Sequence, residues 1–486
     1  MCRDRFASTL AMVVLASFLV PSSLTAQITF QRTYGGASDD IGYSVQQTAD
    51  GGYIVVGNTE SFGAGGEDVY LVRTDGSGDT LWTRTYGGAK TDRGYSVQQT
   101  ADGGYIIVGL TTSFGSGQTD IYLVKTNASG DTLWTRAYGG PGLDEGYAVQ
   151  QTPDGGYVVA GSVCFASDTE DVYLMRTNSS GDTLWTRTYG GSGCDEGNSL
   201  RATTDGGYII AGITESFGSG SADVYLLKTN ASGDTLWTRT YGGPSYDEAY
   251  SVQQTTDGGY IITGTTESFA GSVGVYLLKT NASGDTLWTR YYVPSYCLAN
   301  SVQQTTDGGY VIAGIIGSLA NVYLVKTNAS GDTLWTRTYG SGLADDGGNS
   351  VQQTTDGGYI VAGYTTSLGA GGYDVYLIKT DSLGNVAAVA EPKTSPTPAA
   401  TLSVTCEPNP FRTRTAISLR RAAGSPAALT IFDASGRCVR TFTANRTPTA
   451  IWDGTDEVSQ PLPSGAYFVR LDAGSGYATT RVVLER

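Results

Sequence analysis

Eleven carboxylates recur where one repeated segment of this chain passes into the next. They are Asp39 and Asp40, Asp92, Asp144 and Glu145, Asp195 and Glu196, Asp247 and Glu248, and Asp345 and Asp346. The sixth such segment, 294–299, carries none. Oxygen ligands in that number offer three kinds of chemistry. A ring of them around an axis would bind Ca²⁺. Two of them facing each other across a cleft would have the equipment of a glycosidase. Otherwise they are solvated acidic loops that cap strand ends. Near-identical loops are poorly suited to hold one acid and one base in different surroundings. The eleven are therefore read as ligand-binding residues, with no catalytic residue among them, and calcium is the one cofactor they suggest. The chain has no histidine, which excludes imidazole acid–base chemistry, histidine metal sites and histidine-containing triads.

The elements that position these residues follow from a repeat. Asp-Gly-Gly-Tyr occurs seven times, starting at Asp50, Asp102, Asp154, Asp205, Asp257, Asp307 and Asp356. A period near fifty residues, with strand-like segments and glycine-rich turns, is the signature of a β-propeller or a related array. One unit runs over 94–138. Residues 94–100 (GYSVQQT) alternate, Asp102-Gly103-Gly104 is a tight turn, and 105–109 (YIIVG) is a β-rich apolar run. After the loop 110–119 come 120–126 (DIYLVKT), the turn 127–130 (NASG) and 131–138 (DTLWTRAY). Four antiparallel strands per period make one blade, and seven periods predict seven blades.

The chain ends predict how the ring closes. Residues 28–36 (ITFQRTYGG) match the fourth-strand pattern LWTRTYGG, with Phe30 in the Trp position, and the seventh repeat lacks that strand. The segment 28–34 is therefore expected to pair with 374–380, protecting an otherwise open edge. Trp82, Trp134, Trp185, Trp237, Trp288 and Trp335 recur once per unit with Arg84, Arg136, Arg187, Arg239, Arg290 and Arg337. A large side chain is needed between every pair of packed sheets, so this row reads as packing and not as a ligand ladder. The Asn-Ala-Ser triplets at Asn127, Asn230, Asn281 and Asn328 fit turn chemistry better than glycosylation.

The remaining segments bound the setting. Residues 1–26 read as a secretory signal: Arg3 and Arg5, an apolar run too short to span a bilayer, then Leu24-Thr25-Ala26. No other segment reads as membrane-spanning. The 27–400 stretch carries 18 Lys and Arg against 38 Asp and Glu, whereas 401–486 carries 10 against 7. The acidic body should repel nucleic acid, and the change of sign marks a second domain. Residues 385–400, which include EPKTSPTPAA, read as a Pro-rich linker. Beyond it, 402–406, 416–419, 427–433, 438–442, 466–471 and 478–484 read as strands of a small β-sandwich. The mature chain holds Cys164, Cys194, Cys297, Cys406 and Cys438, an odd number. Bridges between Cys164 and Cys194, and between Cys406 and Cys438, are compatible with their places, as are unbridged thiols.

The repeat resembles bacterial β-propeller repeats of the SBBP kind, through its DGGY turn, its YIIVG and DIYLVKT strands, and its GDTLW segment followed by Tyr-Gly-Gly. In strand order it is also similar to Kelch repeats. Residues 408–411 (PNPF), 431–437 (IFDASGR), 452–454 (WDG), 464–468 (SGAYF) and 481–484 (RVVL) resemble the C-terminal sorting domain of type IX secretion cargo. They equally resemble the Ig-like domain shared with the flagellar hook-capping protein. Either resemblance implies an exported or surface-attached protein, the first with the secretion machinery as a partner.

The expected architecture is all-β. Residues 1–26 are the signal, 27–384 a seven-bladed β-propeller closed by its N-terminal strand, 385–400 the linker and 401–486 an Ig-like β-sandwich. The expected function is non-enzymatic binding or adhesion at the cell surface, with variable loops presented to a glycan or protein ligand. A secreted polysaccharide-degrading enzyme and a passive surface scaffold are the alternatives.

Overall fold

The computed structural model describes residues 27–164, 169–269, 273–292, 296–317, 320–341, 345–386, 403–420, 427–433, 437–443, 449–473 and 476–486. The expected signal segment and most of the linker lie outside them. The chain divides into two compact units, 1–389 and 390–486.

The described residues of the first unit are built from seven four-stranded antiparallel sheets. We number them one to seven by their first strands: Asp40–Gln47, Asp92–Gln99, Asp144–Gln151, Asp195–Ala202, Asp247–Gln254, Cys297–Gln304 and Asp346–Gln353. In sheet one the later strands are Tyr53–Thr59, Asp68–Thr74 and Thr80–Tyr86. The middle two strands are buried along their whole length, because neighbouring sheets cover both of their faces. Sheet seven takes its fourth strand from the other end of the chain. Phe30–Tyr34 pairs antiparallel with Asp374–Thr380, in the register Phe30 opposite Lys379. Phe30 is buried against Tyr53 of sheet one, ring centroids 5.9 Å apart, as Trp82 meets Tyr105 of sheet two at the same separation.

Each turn Asp-Gly-Gly is fixed by its geometry and by an ion pair. Gly103 takes φ +81°, a conformation that costs glycine nothing. Asp102 accepts bonds from Gly104 N–H, 3.0 Å, and Lys125 Nζ, 3.1 Å. The Lys125 side chain is only 4% exposed. Burial pushes the Asp102 carboxyl up, but bonds from Thr100, Lys125 and Gly104 outweigh it and hold it at about 2. The Asn-Ala-Ser-Gly turns close as Asx turns, with Asn127 Oδ1 accepting from the N–H groups of Ser129 and Asp131, each 2.9 Å. Sheets interlock through tyrosine: the Tyr86 hydroxyl donates to Gly130 O of the next sheet, 2.6 Å. Arg84 lies over Trp82 at 5.4 Å, so the tryptophan–arginine row belongs to the packing.

The first strands are sheet edges, and their outward N–H groups need acceptors. Glutamine supplies them from the preceding sheet. Gln46 Oε1 accepts from Gln99 N–H at 2.6 Å, Gln98 Oε1 from Gln151 N–H at 2.6 Å, and Gln352 Oε1 from Gln47 N–H at 2.6 Å. The last of these joins sheet seven to sheet one. Serine repeats the device one step along, as where Ser350 Oγ accepts from Val45 N–H at 3.2 Å.

The second unit has a three-stranded sheet, Ser403–Glu407, Thr415–Arg420 and Thr449–Trp452, and a four-stranded sheet, Cys438–Thr443, Ala427–Asp433, Gly465–Ala473 and Gly476–Leu484. Both sheets contribute to one core, in which Trp452 is fully buried against Phe411 and Tyr467. The Trp452 indole donates to Thr455 O at 2.9 Å. Asn409 ties the PNPF segment to the last strand, donating to Arg481 O at 2.7 Å and accepting from Val483 N–H at 2.8 Å. The strand Thr449–Trp452 was not among those expected from sequence. None of the five cysteines forms a disulfide.

Candidate ligand-binding face

The loops joining second to third strands, and those joining one sheet to the next, lie at the same end of the sheets. The eleven sequence-selected carboxylates fall there into three register positions with different fates.

Asp40, Asp92, Asp144, Asp195, Asp247 and Asp346 occupy the first position of their strands, and all are at most 2% exposed. Each holds loops together. Asp92 Oδ2 accepts from Gly88 N–H at 2.8 Å and from Ser113 Oγ at 2.6 Å. Asp40 does the same with Gly36 and Ser61, and Asp247 with Gly243 and Ser268. Asp195 accepts from Gly191 and Ser216, Asp144 from Gly140, and Asp346 from Ser341 and Ser367. Burial raises the Asp144 carboxyl above its ordinary range. These six have no surface to offer a ligand, so the sequence reading of them as ligand-binding residues is corrected: they are internal locks.

Asp39 and Asp345 stand one residue earlier and gather at Tyr373. Tyr373 N–H donates to Asp39 Oδ1 at 2.9 Å, and its hydroxyl reaches Asp345. Asp345 is exposed.

Glu145, Glu196 and Glu248 stand one residue later, on the consecutive sheets three, four and five. The structure brings these three together. Glu248 accepts from the Tyr250 and Tyr246 hydroxyls at 2.7 and 2.9 Å and from Asn198 Nδ2 at 3.0 Å. Glu145 accepts from the Tyr147 hydroxyl at 3.0 Å. Glu196 accepts no hydrogen bond among the described residues. Its burial, reinforced by Glu170, Glu248, Glu145 and Glu215, pushes its carboxyl up to about 7. Burial also raises Glu145. Among the described residues no group of three or more acidic or cysteine side chains is gathered closely enough to hold a metal ion. The ring of calcium ligands suggested by the sequence thus loses its ligand set, since six of its eleven members are turned inward.

What those six locks hold in place is a set of residues that sequence reasoning missed. In sheet one the loop after the second strand reads Thr59-Glu60-Ser61-Phe62. Thr59 Oγ1 accepts from the N–H groups of Ser61 and Phe62, each 3.1 Å, turning the chain sharply. Ser61 Oγ is held by Asp40. Phe62 is left with its ring 5.7 Å from Tyr70 and 45% exposed. A side chain on Gly36 would run into Ser61 and the Phe62 ring, which explains the second glycine of Tyr-Gly-Gly. Phe114 and Phe217 repeat this arrangement at 44–45% exposure, Phe269 is 45% exposed between Tyr276 and Tyr291, and Leu368 takes the position in sheet seven at 47%. The equivalent loops of sheets three and six include residues outside those described. The signal was present in the sequence as a recurring Ser-Phe after the second strand, an apolar residue where a loop should be polar.

The fold defines an all-β repeat protein with a separate C-terminal domain. Residues 408–485 match the secretion system C-terminal sorting domain family. The protein is accordingly secreted or attached to the outer cell surface by the type IX route, and its C-terminal domain engages that secretion machinery. A curated relative, the regulatory protein FlaEY of Caulobacter vibrioides, is 27% identical over 202 residues, which span 36% of this chain and 21% of that protein. Among solved structures, PorZ of Porphyromonas gingivalis, a surface component of the type IX secretion system, matches with TM-score 0.40 and 12% identity over 93% of this chain and 60% of its own. The Pan2 WD40 domain of Neurospora crassa matches with TM-score 0.46 and 10% identity over 73% of this chain and 96% of its own. Sqt1 of Chaetomium thermophilum matches with TM-score 0.41 and 12% identity over 71% and 86%. Among the described residues no helix is long and apolar enough to cross a membrane.

Proposed function

We propose that this chain is a non-enzymatic surface or secreted adhesion protein that captures glycans on the loop face of a closed, seven-bladed β-propeller. In this reading the repeats are of the SBBP or Kelch type, residues 1–26 are the leader, and the C-terminal unit is an Ig-like sandwich that serves export and anchoring. The observation that carries the proposal is the recurrence of an exposed phenylalanine, rigidly presented by an aspartate–serine lock, at Phe62, Phe114, Phe217 and Phe269. A flat apolar ring that is backed on one side and open on the other suits the apolar face of a sugar ring. Four or more equivalent weak sites on one rigid body gain from multivalency. Asp39, Asp345, Glu145 and Glu196 would border this face with acceptors for sugar hydroxyls, whereas Glu248 is buried and already accepts from Asn198, Tyr246 and Tyr250.

One observation favours a second reading, a polysaccharide-degrading enzyme. A glutamate raised to about 7 beside other glutamates has the character of a general acid. The test is a screen of the full chain against immobilised and insoluble glycans, with calcium and with chelator, followed by assay of soluble sugar released from every polymer that is captured. Chelator-insensitive capture without release supports adhesion through the phenylalanines. Release of reducing ends that is lost in Glu196→Gln would replace adhesion with hydrolysis. Failure to capture any glycan would transfer the face to a protein partner or a passive scaffold.

A further inference from the structure

The first strands of all seven sheets line a single cavity of about 270 Å³. Its polar lining is serine and glutamine, with no carboxylate, and it holds one full charge, that of Arg201. Arg201 stands in sheet four at the position that glutamine fills in the other six sheets. Its Nη1 donates to Leu200 O at 2.9 Å, and among the described residues it forms no ion pair. Arg201 lines the cavity, and burial pulls the guanidinium below the ordinary arginine range.

Internal comparison separates this departure from an accidental one. Six glutamine oxygens around the cavity accept the N–H of the next first strand. Where Arg201 replaces glutamine, Gln254 N–H is left without that side-chain acceptor. A second, outer set of bonds also skips one junction. Ala49 N–H donates to Gln99 Oε1 at 3.0 Å and Ala101 N–H to Gln151 Oε1 at 2.8 Å, and so on around the sheets. At the third-to-fourth junction the donor position is Pro153 and the acceptor position is Ala202. Donor and acceptor are lost together there, so nothing is left unsatisfied. At Arg201 the acceptor is lost and the donor is kept. The junction of sheets four and five therefore presents a guanidinium with no counter-charge, bonded only to Leu200 O among the described residues, and a backbone N–H without the glutamine acceptor of the other six junctions, in a cavity that supplies no negative charge.

We propose that this cavity is an oxyanion site, in which the Arg201 guanidinium and Gln254 N–H bind a carboxylate or sulfate group carried by a free small anion or a single acidic sugar. The guanidinium fork matches the two oxygens of such a group. A charge taken from bulk water needs a counter-charge to be stable there. The neighbouring glutamine amides, whose oxygens are engaged, still offer N–H donors. The site is separate from the loop-face phenylalanines and stands whether or not they bind glycans.

The experiment compares thermal unfolding of the full chain and of Arg201→Gln in chloride, sulfate, acetate and galacturonate at equal ionic strength. Arg201→Gln restores the residue found in the other six sheets, so the variant should fold and should match or exceed the parent in chloride. The parent is expected to gain about 1–2 °C in an oxyanion at ten times its dissociation constant, relative to chloride. Arg201→Gln should lose that gain. A gain in galacturonate alone assigns the site to an acidic sugar, and a gain in sulfate or acetate assigns it to a free anion. An equal gain in Arg201→Gln, or no gain over chloride in the parent with any of the three, overturns the proposal.

Discussion

Glu196 makes the energetics of the loop face measurable. Its carboxyl keeps a proton up to about 7 in the folded chain, against an ordinary value of 4.5. Between these two values the folded state binds more protons than the unfolded state, so stability falls as pH rises through that window and is level above it. The rise in proton affinity corresponds to about 3 kcal/mol. Solvent at the open side of the face screens it, leaving roughly 1–2 kcal/mol as the expected cost of ionising Glu196. Glu196→Gln keeps the shape and removes the ionisation. Denaturant unfolding of parent and variant at pH 4, 6 and 8 gives the comparison. The variant should match the parent at pH 4 and exceed it by about 1–2 kcal/mol at pH 8. Parallel stability across all three values, or a variant less stable than the parent at pH 8, would refute the assignment of a buried, mutually repelling glutamate cluster.

Further outcomes follow from the fold. Asp102→Asn leaves the buried Lys125 ammonium without its counter-charge and should cost about 1–3 kcal/mol, the exposure of Asp102 setting the lower end. The charged Asp102 form contributes stability above pH 3.8 that is lost as pH falls through about 2, so this difference should shrink in acid. Tyr86→Phe removes one hydroxyl bond between sheets one and two and should lower stability by about 1 kcal/mol in denaturant unfolding. Deleting 27–34 strips the partner from Asp374–Thr380 and opens a sheet edge, so size-exclusion chromatography should show self-association.

The repeated four-strand unit was legible because its punctuation is local. Asp-Gly-Gly needs a positive φ, Asn-Ala-Ser-Gly needs an Asx turn, and both recur at a fixed period. The tryptophan row was legible for the same reason. The acidic pairs misled because adjacency in sequence is not equivalence in register. Asp39 with Asp40 and Asp144 with Glu145 look alike as text, yet Asp39 and Glu145 stand on opposite sides of the buried lock position. The Ser and Gln acceptors of the first strands were hidden because the alternation of GYSVQQT does not say what its polar side chains meet. Only the packing of one sheet beside the next places each glutamine against the neighbouring edge. Arg201 could not have been singled out without those sheet-to-sheet bonds, since its meaning lies in the bond it fails to make.

The most direct measurement of the central claim is capture of the best glycan from the screen by the full chain and by the variant carrying Phe62→Ala, Phe114→Ala, Phe217→Ala and Phe269→Ala. These side chains are nearly half exposed, so the variant should fold with little change in unfolding temperature. Each ring is expected to contribute about 0.5–1.5 kcal/mol, so the account predicts that capture falls by at least about 30-fold. Undiminished capture by the folded variant would contradict it and move the ligand off the loop face.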